Sequence, residues 1–597
     1  MNKSALRIKL LVLCIILGWG IVVYRLYTLQ IKDNVNFQLQ ASMQQSYVTP
    51  VYAPRGSITS ADGIELAIDV PTYIVSVYVP SIPHVAEFEQ HVLPLLKGMS
   101  VSTFASDISN GINQFQIGWN ISPSDKTIIE KAISSGDAAA LQFTLTESRV
   151  YPNKTLLSDV LGYVDASTGS GEYGVEGYFD GDLKGVAGSI TGDAGLAGTP
   201  IVNSNFNVIP STAGENITLT VNAYLQQMVE AKLKQWVDEQ NAQSGAVIIM
   251  NPKTGAIVSM AGYPSYDPNE YYNGYVTDCK AYMLATVAPC NGQTSKLDSS
   301  MVAASFNNPA ISFVYEPGSV MKIITAAAAL QAGKITPDTK FDDSNGVFKA
   351  SGYSVYNYNK EPDGVMNMAQ ILKLSSNVGA SMVSKLLGNQ LMYQYYKAFG
   401  IGQSTGITLA GEQTGTVPAP STWEAIDLAT ASFGQFAGAT PLQVISVYQA
   451  IANGGMRMKP YIVQGVEKDE GQIVDSQPKE EGQAISSTTA SELTQMLIQA
   501  TTGEPNYGMT LFGLQHYMPE IASKTGTAQV PLPDKAGYYS NLINATYVGY
   551  APATNPQFVM LTMLQYPRNS LYAATSAVPL WADIAKQLFL YYKIPPE

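Results

Sequence analysis

Residues 315–333 read YEPGSVMKIITAAAALQAG, and this stretch decides the fold. Ser319 and Lys322 open an alanine-rich run that ends at Gly333. Alanine favours helix and glycine commonly ends one, so the run predicts a helix. Positions three apart share a helix face, which lets the lysine amine reach the serine hydroxyl, and the helix start offers free N–H groups to a developing oxyanion. The pair therefore predicts a serine nucleophile with a lysine base.

Two short polar motifs follow this pair along the chain. Ser375-Ser376-Asn377 lies between the helical patterns MAQILKL and VGASMVSKLLG. Lys524-Thr525-Gly526-Thr527 lies in the extended segment IASKTGTAQV. Acyl transfer through a serine needs a second polar group for the proton and a cationic strand edge for a substrate carboxylate. The three motifs in this order, on a helix, a loop and a strand, predict one acyl-transfer site.

Three similar stretches stand in unsuitable contexts. Ser476-Gln-Pro-Lys479 repeats the Ser-x-x-Lys spacing inside a polar, proline-containing segment. Ser305-Phe-Asn307 precedes the nucleophile and is in the wrong order. Lys253-Thr254-Gly255 forms the turn between the apolar runs GAVIIM and AIVSMAGY. We therefore expect none of the three to belong to the site.

The amino-acid composition argues against several classes of catalytic site, metal site and partner. The 597 residues predict three or four structural units, and 46% apolar content suffices for large cores. Three His and three Cys leave little material for a Ser-His-Asp triad, a zinc site or an iron–sulfur cluster. We expect no metal and no cofactor. The net charge of −13, without a Lys/Arg cluster, argues against nucleic acid as a partner.

The N-terminal segment has the pattern of a membrane anchor. Residues 10–24 form an uncharged apolar run that follows Lys3, Arg7 and Lys9, and it extends to residue 31 if Arg25 snorkels. A cleaved signal peptide is the alternative, but a small-residue cleavage site does not follow. We expect a tail (1–9) inside the cell, an uncleaved anchor (10–31) and an exported remainder.

The exported remainder changes character near residue 215. Residues 32–214 carry many turn patterns, and APRGSITSADGIELA (53–67) predicts a short hairpin strand between two turns. Residues 215–597 contain runs that are apolar on both faces, which predict a sheet covered on both sides, and a final helix near 576–593. We expect an α/β (α+β) protein with an antiparallel sheet between helices and a separate pedestal.

With these motifs, the sequence resembles the class B penicillin-binding proteins, which are membrane-anchored peptidoglycan D,D-transpeptidases. The resemblance runs from the anchor to the C-terminus and includes GVEGYFDGDLKGVAG (174–188), YEPGS (315–319) and SFGQFAGATPLQ (432–443). Two positions depart from the family pattern: the pedestal motif continues as Thr59-Ser60-Ala61-Asp62-Gly63, and Asn222 stands where an aspartate is usual. Both lie outside the three motifs, so these departures bear on the local packing of the pedestal more than on catalysis.

The resemblance implies a role for each motif residue. Ser319 attacks the penultimate D-Ala carbonyl of a stem peptide, and uncharged Lys322 accepts its proton. Ser375 passes the proton to the leaving D-Ala amine, and Asn377 holds the donor amide. The strand Lys524–Thr527 is the substrate-binding edge.

On that edge, Lys524 favours the uncharged state of the neighbouring lysine. The hydroxyls of Thr525 and Thr527, on either side of Gly526, hold the substrate carboxylate. The backbone N–H groups of Ser319 and Thr527 form the oxyanion hole.

Other functions remain open on the sequence. A D,D-carboxypeptidase, a β-lactamase and a β-lactam-sensing or scaffold protein can share the fold. Class A β-lactamases deacylate through a Glu-x-x-x-Asn element, whereas Glu412 is followed by QTGT and predicts a turn. A bifunctional enzyme is disfavoured because residues 32–214 lack an acidic glycosyltransferase motif.

The implied partners are stem peptides ending in D-Ala-D-Ala, β-lactams, the plasma membrane, a lipid-II polymerase of the SEDS family and division proteins. Residues 415–435 lack an insertion, which favours a division over an elongation role. Finally, Cys279 and Cys290 lie on the exported side, and we expect a disulfide between them, with two reduced thiols as the alternative.

Overall fold

The computed structural model describes residues 3–34, 46–96, 99–133, 135–166, 168–193, 206–271, 306–468, 472–503, 505–532 and 537–596. The expected Cys279–Cys290 disulfide lies outside these residues. Contacts divide the chain into two units. The smaller comprises residues 1–54 and 184–214, and the larger comprises residues 55–183 and 215–597.

The smaller unit contains the N-terminal helix and a three-stranded antiparallel sheet. The helix Lys3–Tyr27 continues into a π-helical turn, Thr28–Lys32, and begins earlier than the apolar run. Residues 6–32 are apolar enough to cross a membrane, and at about 1.5 Å per residue they exceed the ~30 Å of a hydrocarbon core. The strands, in sheet order, are Ser46–Val51, Gly188–Asp193 and Asn207–Ile209.

The larger unit is built on a five-stranded antiparallel sheet, here called the catalytic sheet. Its central strands are apolar on both faces, as in VIIM and VMLTML, because helices cover both sides. This confirms the predicted architecture. In sheet order the strands are Ile257–Tyr263, Ser244–Met250, Phe558–Gln565, Tyr538–Ala551 and Ala522–Pro531.

Two hydrophobic cores lie on opposite faces of the catalytic sheet. One packs Val247 and Met560 against the helices Ala223–Glu239 and Ala577–Tyr591. The other contains Leu561 and the alanine-rich helix, and the helix Pro441–Ala452 packs on the sheet there. The helix Asn506–Leu511 adds Met509 to the first core. The helices outside it are Pro309–Ser312, Lys322–Gln331, Met368–Leu374, Asn377–Ala398, Ala425–Ala431, Pro441–Ala452 and Ser487–Thr501.

Small two-stranded sheets surround these helices. The hairpin Val347–Ala350 with Tyr353–Tyr356 leads towards the Ser375 motif. The other pairs are Phe341–Asp343 with Gly364–Met366 and Met456–Met458 with Glu480–Gln483.

Residues 55–183 join the catalytic part through a second sheet. Strand Ile58–Thr59 pairs in parallel with Asn216–Leu219, and the sheet continues through Val463–Lys468 to Gln472–Asp475. Thr59 and Ala67 lie in the hairpin that the sequence predicts. The remaining elements are the strands Glu65–Tyr78, Gln114–Ile121, Leu141–Val150, Tyr163–Val164 and Gly171–Glu172, and the helices Val85–His91, Val101–Ser109, Pro123–Ala132, Ser135–Ala140, Ser158–Leu161, Gly174–Tyr178 and Asp180–Leu183.

Candidate active site

Ser319 lies on a tight turn in front of the alanine-rich helix. The turn Gly318–Met321 is 3-10 helical, and the α-helix begins at Lys322. The Lys322 Nζ atom lies 2.6 Å from Ser319 Oγ, as the spacing predicts. Tyr448 donates a hydrogen bond to the Val320 carbonyl at 2.8 Å, which anchors the turn from behind.

The Ser375 motif reaches the same amine from the next pair of helices. Ser375 follows the helix Met368–Leu374 in a left-handed conformation, with φ 56° and ψ 35°. Ser376 caps the next helix by accepting a hydrogen bond from Gly379 N. Lys322 Nζ lies 2.7 Å from Ser375 O, 3.3 Å from Ser375 Oγ and 2.8 Å from Asn377 Oδ1. The lysine amine thus joins the first two motifs.

The third motif lies on the edge strand of the catalytic sheet. Lys524 pairs in register with Val548 of the neighbouring strand. Its Nζ atom lies 3.0 Å from Ser375 Oγ and 3.1 Å from Thr525 Oγ1. Ser375 Oγ therefore lies between the two lysine amines.

A close approach between the strand and the nucleophile turn requires glycine at position 526. A Cβ atom on Gly526 would lie 2.8 Å from the Pro317 carbonyl oxygen and 3.0 Å from Val320. Thr527, next on the strand, is exposed, and its hydroxyl accepts a hydrogen bond from Ala573 N at 3.0 Å. Six predicted residues, Ser319, Lys322, Ser375, Asn377, Lys524 and Thr525, therefore form one hydrogen-bonded cluster, and Gly526 and Thr527 flank it.

The similar stretches lie elsewhere. Lys253 lies in a turn held by Asn251, and its amine donates a hydrogen bond to Asn555. Ser476 follows the strand Gln472–Asp475 and donates its backbone N–H to Gln464 O. Ser305 lies outside the described residues.

Comparison with known protein families decides the classification. The penicillin binding protein transpeptidase domain matches residues 245–587, which is more than half of the chain. The penicillin-binding protein dimerisation domain matches residues 50–219. The chain belongs to the penicillin-binding protein transpeptidase family. The resemblance to its class B members is confirmed, and all three motifs fall inside the transpeptidase match.

Individual relatives agree with this assignment. Penicillin-binding protein PbpB of Mycobacterium tuberculosis is 31% identical over 75% of this chain and 62% of that protein, so the chain spans less than two thirds of its length. Peptidoglycan D,D-transpeptidase FtsI of Escherichia coli K12 is 25% identical over 100% of this chain and 93% of that protein. A crystal structure of M. tuberculosis penicillin binding protein 3 with aztreonam shares the fold, with a TM-score of 0.66, 24% identity and coverage of 92% and 98% of the two chains.

Burial sets the electrostatics of this penicillin-binding protein's site. Lys322 is fully buried, and Lys524 is 2% exposed. In the described part of the chain, the Lys322 amine contacts hydroxyl, carbonyl and amide oxygens, and its Nζ atom lies 5.9 Å from the centre of the Phe433 ring. Removing an amine from water is costly unless polar groups of the protein replace the water, and these oxygens do so for Lys322.

A carboxyl pair lies behind the Ser375 motif. Burial raises the pKa of Asp363, and the neighbouring Asp343 adds to this, whereas a hydrogen bond to Ser376 and the charge of Lys322 act in the opposite direction. Asp343 is fully buried and accepts a hydrogen bond from Asn357 Nδ2 at 2.7 Å. Sequence reasoning missed Asp343 and Asn357, because neither belongs to a motif or to a periodic pattern.

Glu316 connects the nucleophile turn to its surroundings. Its carboxylate accepts a hydrogen bond from Phe436 N at 2.8 Å, and burial raises its pKa. Phe436 adopts φ 93°, a strained conformation for a residue with a side chain. Glu316 lies three residues before Ser319 in the sequence, and this proximity was the available indication of its importance.

Proposed function

We propose that this protein is a serine D-Ala-D-Ala transpeptidase that cross-links peptidoglycan stem peptides through an acyl-Ser319 intermediate and is acylated by β-lactams. The observation that carries the proposal is the bonding of Lys322 Nζ to Ser319 Oγ, together with a Ser375 hydroxyl placed between two lysine amines. This arrangement gives the proton of the nucleophile a path to a leaving group.

In the first half-reaction, Lys322 accepts the proton of the Ser319 hydroxyl, and Oγ attacks the carbonyl carbon of the penultimate D-Ala. The amine of the terminal D-Ala leaves with a proton relayed by Ser375, and an ester to Ser319 remains. The 2.6 Å contact between Lys322 and Ser319 supports the first transfer. In the second half-reaction, an amine of another stem peptide attacks the ester carbon and forms the cross-linking amide, the bond to Oγ breaks, and a proton lost by the amine returns to Ser319 Oγ. A β-lactam enters by the first path and opens its ring.

Substrate binding falls to the flanking groups. Lys524, Thr525 and Thr527 hold the terminal carboxylate by charge and hydroxyl donors, and Asn377 holds the donor amide. The backbone N–H groups of Ser319 and Thr527 stabilise the oxyanion. The exposure of Thr527 on the edge strand leaves this end accessible to a peptide.

The position of Glu412 favours a transpeptidase over a β-lactamase. Its carboxylate accepts hydrogen bonds from Thr405 N and Thr405 Oγ1, both at 2.6 Å, and from Gly406 N at 3.2 Å. A carboxylate committed to its own turn is poorly placed to activate water at Ser319. The acyl-enzyme therefore persists until an amine arrives.

We assign residues 1–9 to a cytoplasmic tail, 10–31 to a single-pass plasma membrane anchor, 32–214 to the pedestal and 215–597 to the transpeptidase domain. Lys3, Arg7 and Lys9 favour a cytoplasmic N-terminus. We place the protein in division, with a lipid-II polymerase of the SEDS family and division proteins as partners. The absence of an insertion in residues 415–435 supports this role.

Covalent labelling of the full chain in detergent tests the proposal. Wild-type protein should gain the mass of one penicillin, and Ser319→Ala should gain none, because the acylation barrier depends on the hydroxyl by ~8 kcal/mol or more. Ser476→Ala is the matched control, since Ser476 also has Lys three residues later. It should label like wild type. If Ser319→Ala still formed the penicillin adduct and Ser476→Ala did not, Ser319 would not be the nucleophile.

The products then separate the alternatives. With polymerised lipid II, a transpeptidase yields cross-linked dimers, and a carboxypeptidase releases D-Ala without them. Rapid hydrolysis of penicillin indicates a β-lactamase, and a stable adduct without either peptide product indicates a sensor or scaffold. Cross-linked dimers that depend on Ser319 are the expected result.

A further inference from the structure

Asn357 occupies a buried position behind the Ser375 motif. Its side chain is almost inaccessible, with 4% exposure. Its Oδ1 atom accepts three hydrogen bonds, from Ser376 Oγ at 3.0 Å, Asn377 N at 3.0 Å and Val378 N at 3.2 Å. One amide oxygen thus contacts three consecutive residues of the motif and of the helix that follows it.

These contacts cap the helix Asn377–Ala398 from a distant part of the chain. The first N–H groups of a helix have no partner within it, and the cap residue Ser376 serves only one of them, that of Gly379. Asn357 serves two more. Ser375, just before the cap, is held in the left-handed region, which a residue with a side chain keeps only when its surroundings enforce it.

The orientation of the Asn357 amide is itself fixed. Its Nδ2 atom donates to Asp343 Oδ2 at 2.7 Å and to Glu361 O at 3.1 Å. Turning the amide over would bring its oxygen against these two acceptors and its NH2 group against the three donors. Asp343 therefore determines which end of the amide faces the active site.

We propose that Asn357 is a positioning residue for acyl transfer, oriented by Asp343, that holds Ser375 Oγ and Asn377 Oδ1 at the Lys322 amine. This inference rests on the proposed function. The distances from Lys322 Nζ to Asn377 Oδ1 and Ser375 O are 2.8 Å and 2.7 Å, so a small shift of the motif would break both bonds. Misplacement of reacting groups by about 1 Å can lower a rate about 100-fold.

Truncation of the amide is the first test. In Asn357→Ala, the acylation rate constant for penicillin should fall about 100-fold, whereas the penicillin concentration that gives half the maximal rate should change only a few fold. The matched control is Asn222→Ala, which removes another asparagine cap, from Leu225 N at the helix Ala223–Glu239. Both variants should lose melting temperature, but the control should acylate within threefold of wild type. If Asn357 had only a structural role, both variants would lose melting temperature and both would acylate within threefold of wild type.

A donor–acceptor exchange is the second test. Asn357→Asp places a carboxylate against Asp343, which should slow acylation. Adding Asp343→Asn restores one amide and one carboxylate in exchanged positions, and acylation should recover at least tenfold. This pair of variants decides the matter even if Asn357→Ala fails to fold.

Three outcomes would overturn the inference in distinguishable ways. We call the hydrogen bonds from Asn357 to Ser376, Asn377, Val378 and Asp343 the Asn357 clamp. An acylation rate of Asn357→Ala within threefold of wild type would show that the Asn357 clamp does not position the Ser375 motif. A folded exchange variant as slow as Asn357→Asp would show that Asp343 does not orient the amide. If wild-type protein and Asn222→Ala also formed no adduct, the proposed function itself would fall, and the positioning role with it.

Discussion

In two buried polar clusters of the larger unit, the hydrogen bonds described for the basic side chains run to different kinds of oxygen. In the first, Arg55 and Arg149 each contact the buried Glu176 carboxylate at 2.7 Å, with further ion pairs to neighbouring carboxylates. In the second, the described bonds of Lys322 and Lys524 run to hydroxyl, carbonyl and amide oxygens. We call these the arginine network and the lysine cluster.

The arginine network and the lysine cluster differ in whether the basic side chain can release its proton. Burial opposes the charge of Arg149, but Glu176 and Asp69 outweigh it and raise its pKa, so the guanidinium remains charged. A guanidinium in such a network serves structure. An amine, unlike a guanidinium, can release its proton, which the proposed acyl transfer requires of Lys322. We therefore expect substitutions in the lysine cluster to affect rate and those in the arginine network to affect stability.

The largest expected effect follows from exchanging the cation types. In Lys322→Arg, a guanidinium replaces the amine and cannot give up its proton. Acylation by penicillin should fall by about 1,000-fold or more, as far as in Lys322→Ala, because the base is lost in both. Stopped-flow or quenched measurement of adduct mass gives the rate.

Lys479→Arg is the matched control, because Lys479 also stands three residues after a serine, Ser476, but in a polar segment outside the three motifs. It should acylate like wild type. If Lys322→Arg kept more than a tenth of the wild-type rate, Lys322 would not be the base, and the contrast with the arginine network would lose its chemical meaning.

The sequence predicted the lysine cluster well because its relationships are local or carried by motifs. Ser319 and Lys322 share a helix turn, and the two later motifs have a fixed order in the family. The catalytic sheet was equally accessible, since its strands are apolar on both faces. In these cases short stretches of chain contain the deciding pattern.

The arginine network and the Asn357 clamp could not be predicted in the same way. The sequence around Arg55 predicted only a structural turn, and its partner Glu176 is 121 positions away. Asn357 lies in the polar stretch YNYNK, where nothing distinguishes it from a surface residue. Their importance arises from burial and from partners that only the folded chain brings near. The division at residue 214 remains a prediction, and in the structure residues 55–183 group with the catalytic part.

The next effect in size tests the arginine network. Glu176→Ala removes a fully buried carboxylate and leaves two guanidiniums with fewer partners. Loss of one partner of a buried ion pair costs about 3–5 kcal/mol. The free energy of unfolding, measured with denaturant, should fall by that amount, and the folded fraction should still be acylated within a few fold of the wild-type rate.

Asp238→Ala serves as the control because its ion pair with Lys234 is exposed on both sides. It should change stability by less than about 1 kcal/mol. A loss of under 1 kcal/mol in Glu176→Ala as well would mean that the remaining carboxylates, Asp69 and Asp180, suffice for the network.

The smallest expected effect concerns a buried carboxylate whose described donors are neutral. Glu230 Oε1 accepts hydrogen bonds from Leu157 N and Gln226 Nε2, both at 2.8 Å, and burial raises its pKa from 4.5 to about 6. A raised carboxyl pKa means that folding favours the protonated form, so this contribution is fully present below pH 4.5 and is lost as the pH rises through about 6. Above that pH, keeping the ion buried costs about 2 kcal/mol.

Glu230→Gln keeps an oxygen acceptor and removes the charge. Its free energy of unfolding should therefore exceed that of wild type by up to about 2 kcal/mol at pH 7.5 and match it at pH 4. A Gln variant that is less stable at pH 7.5 would show that the two N–H donors stabilise the ion as effectively as a guanidinium does, and would remove the distinction between the two kinds of partner.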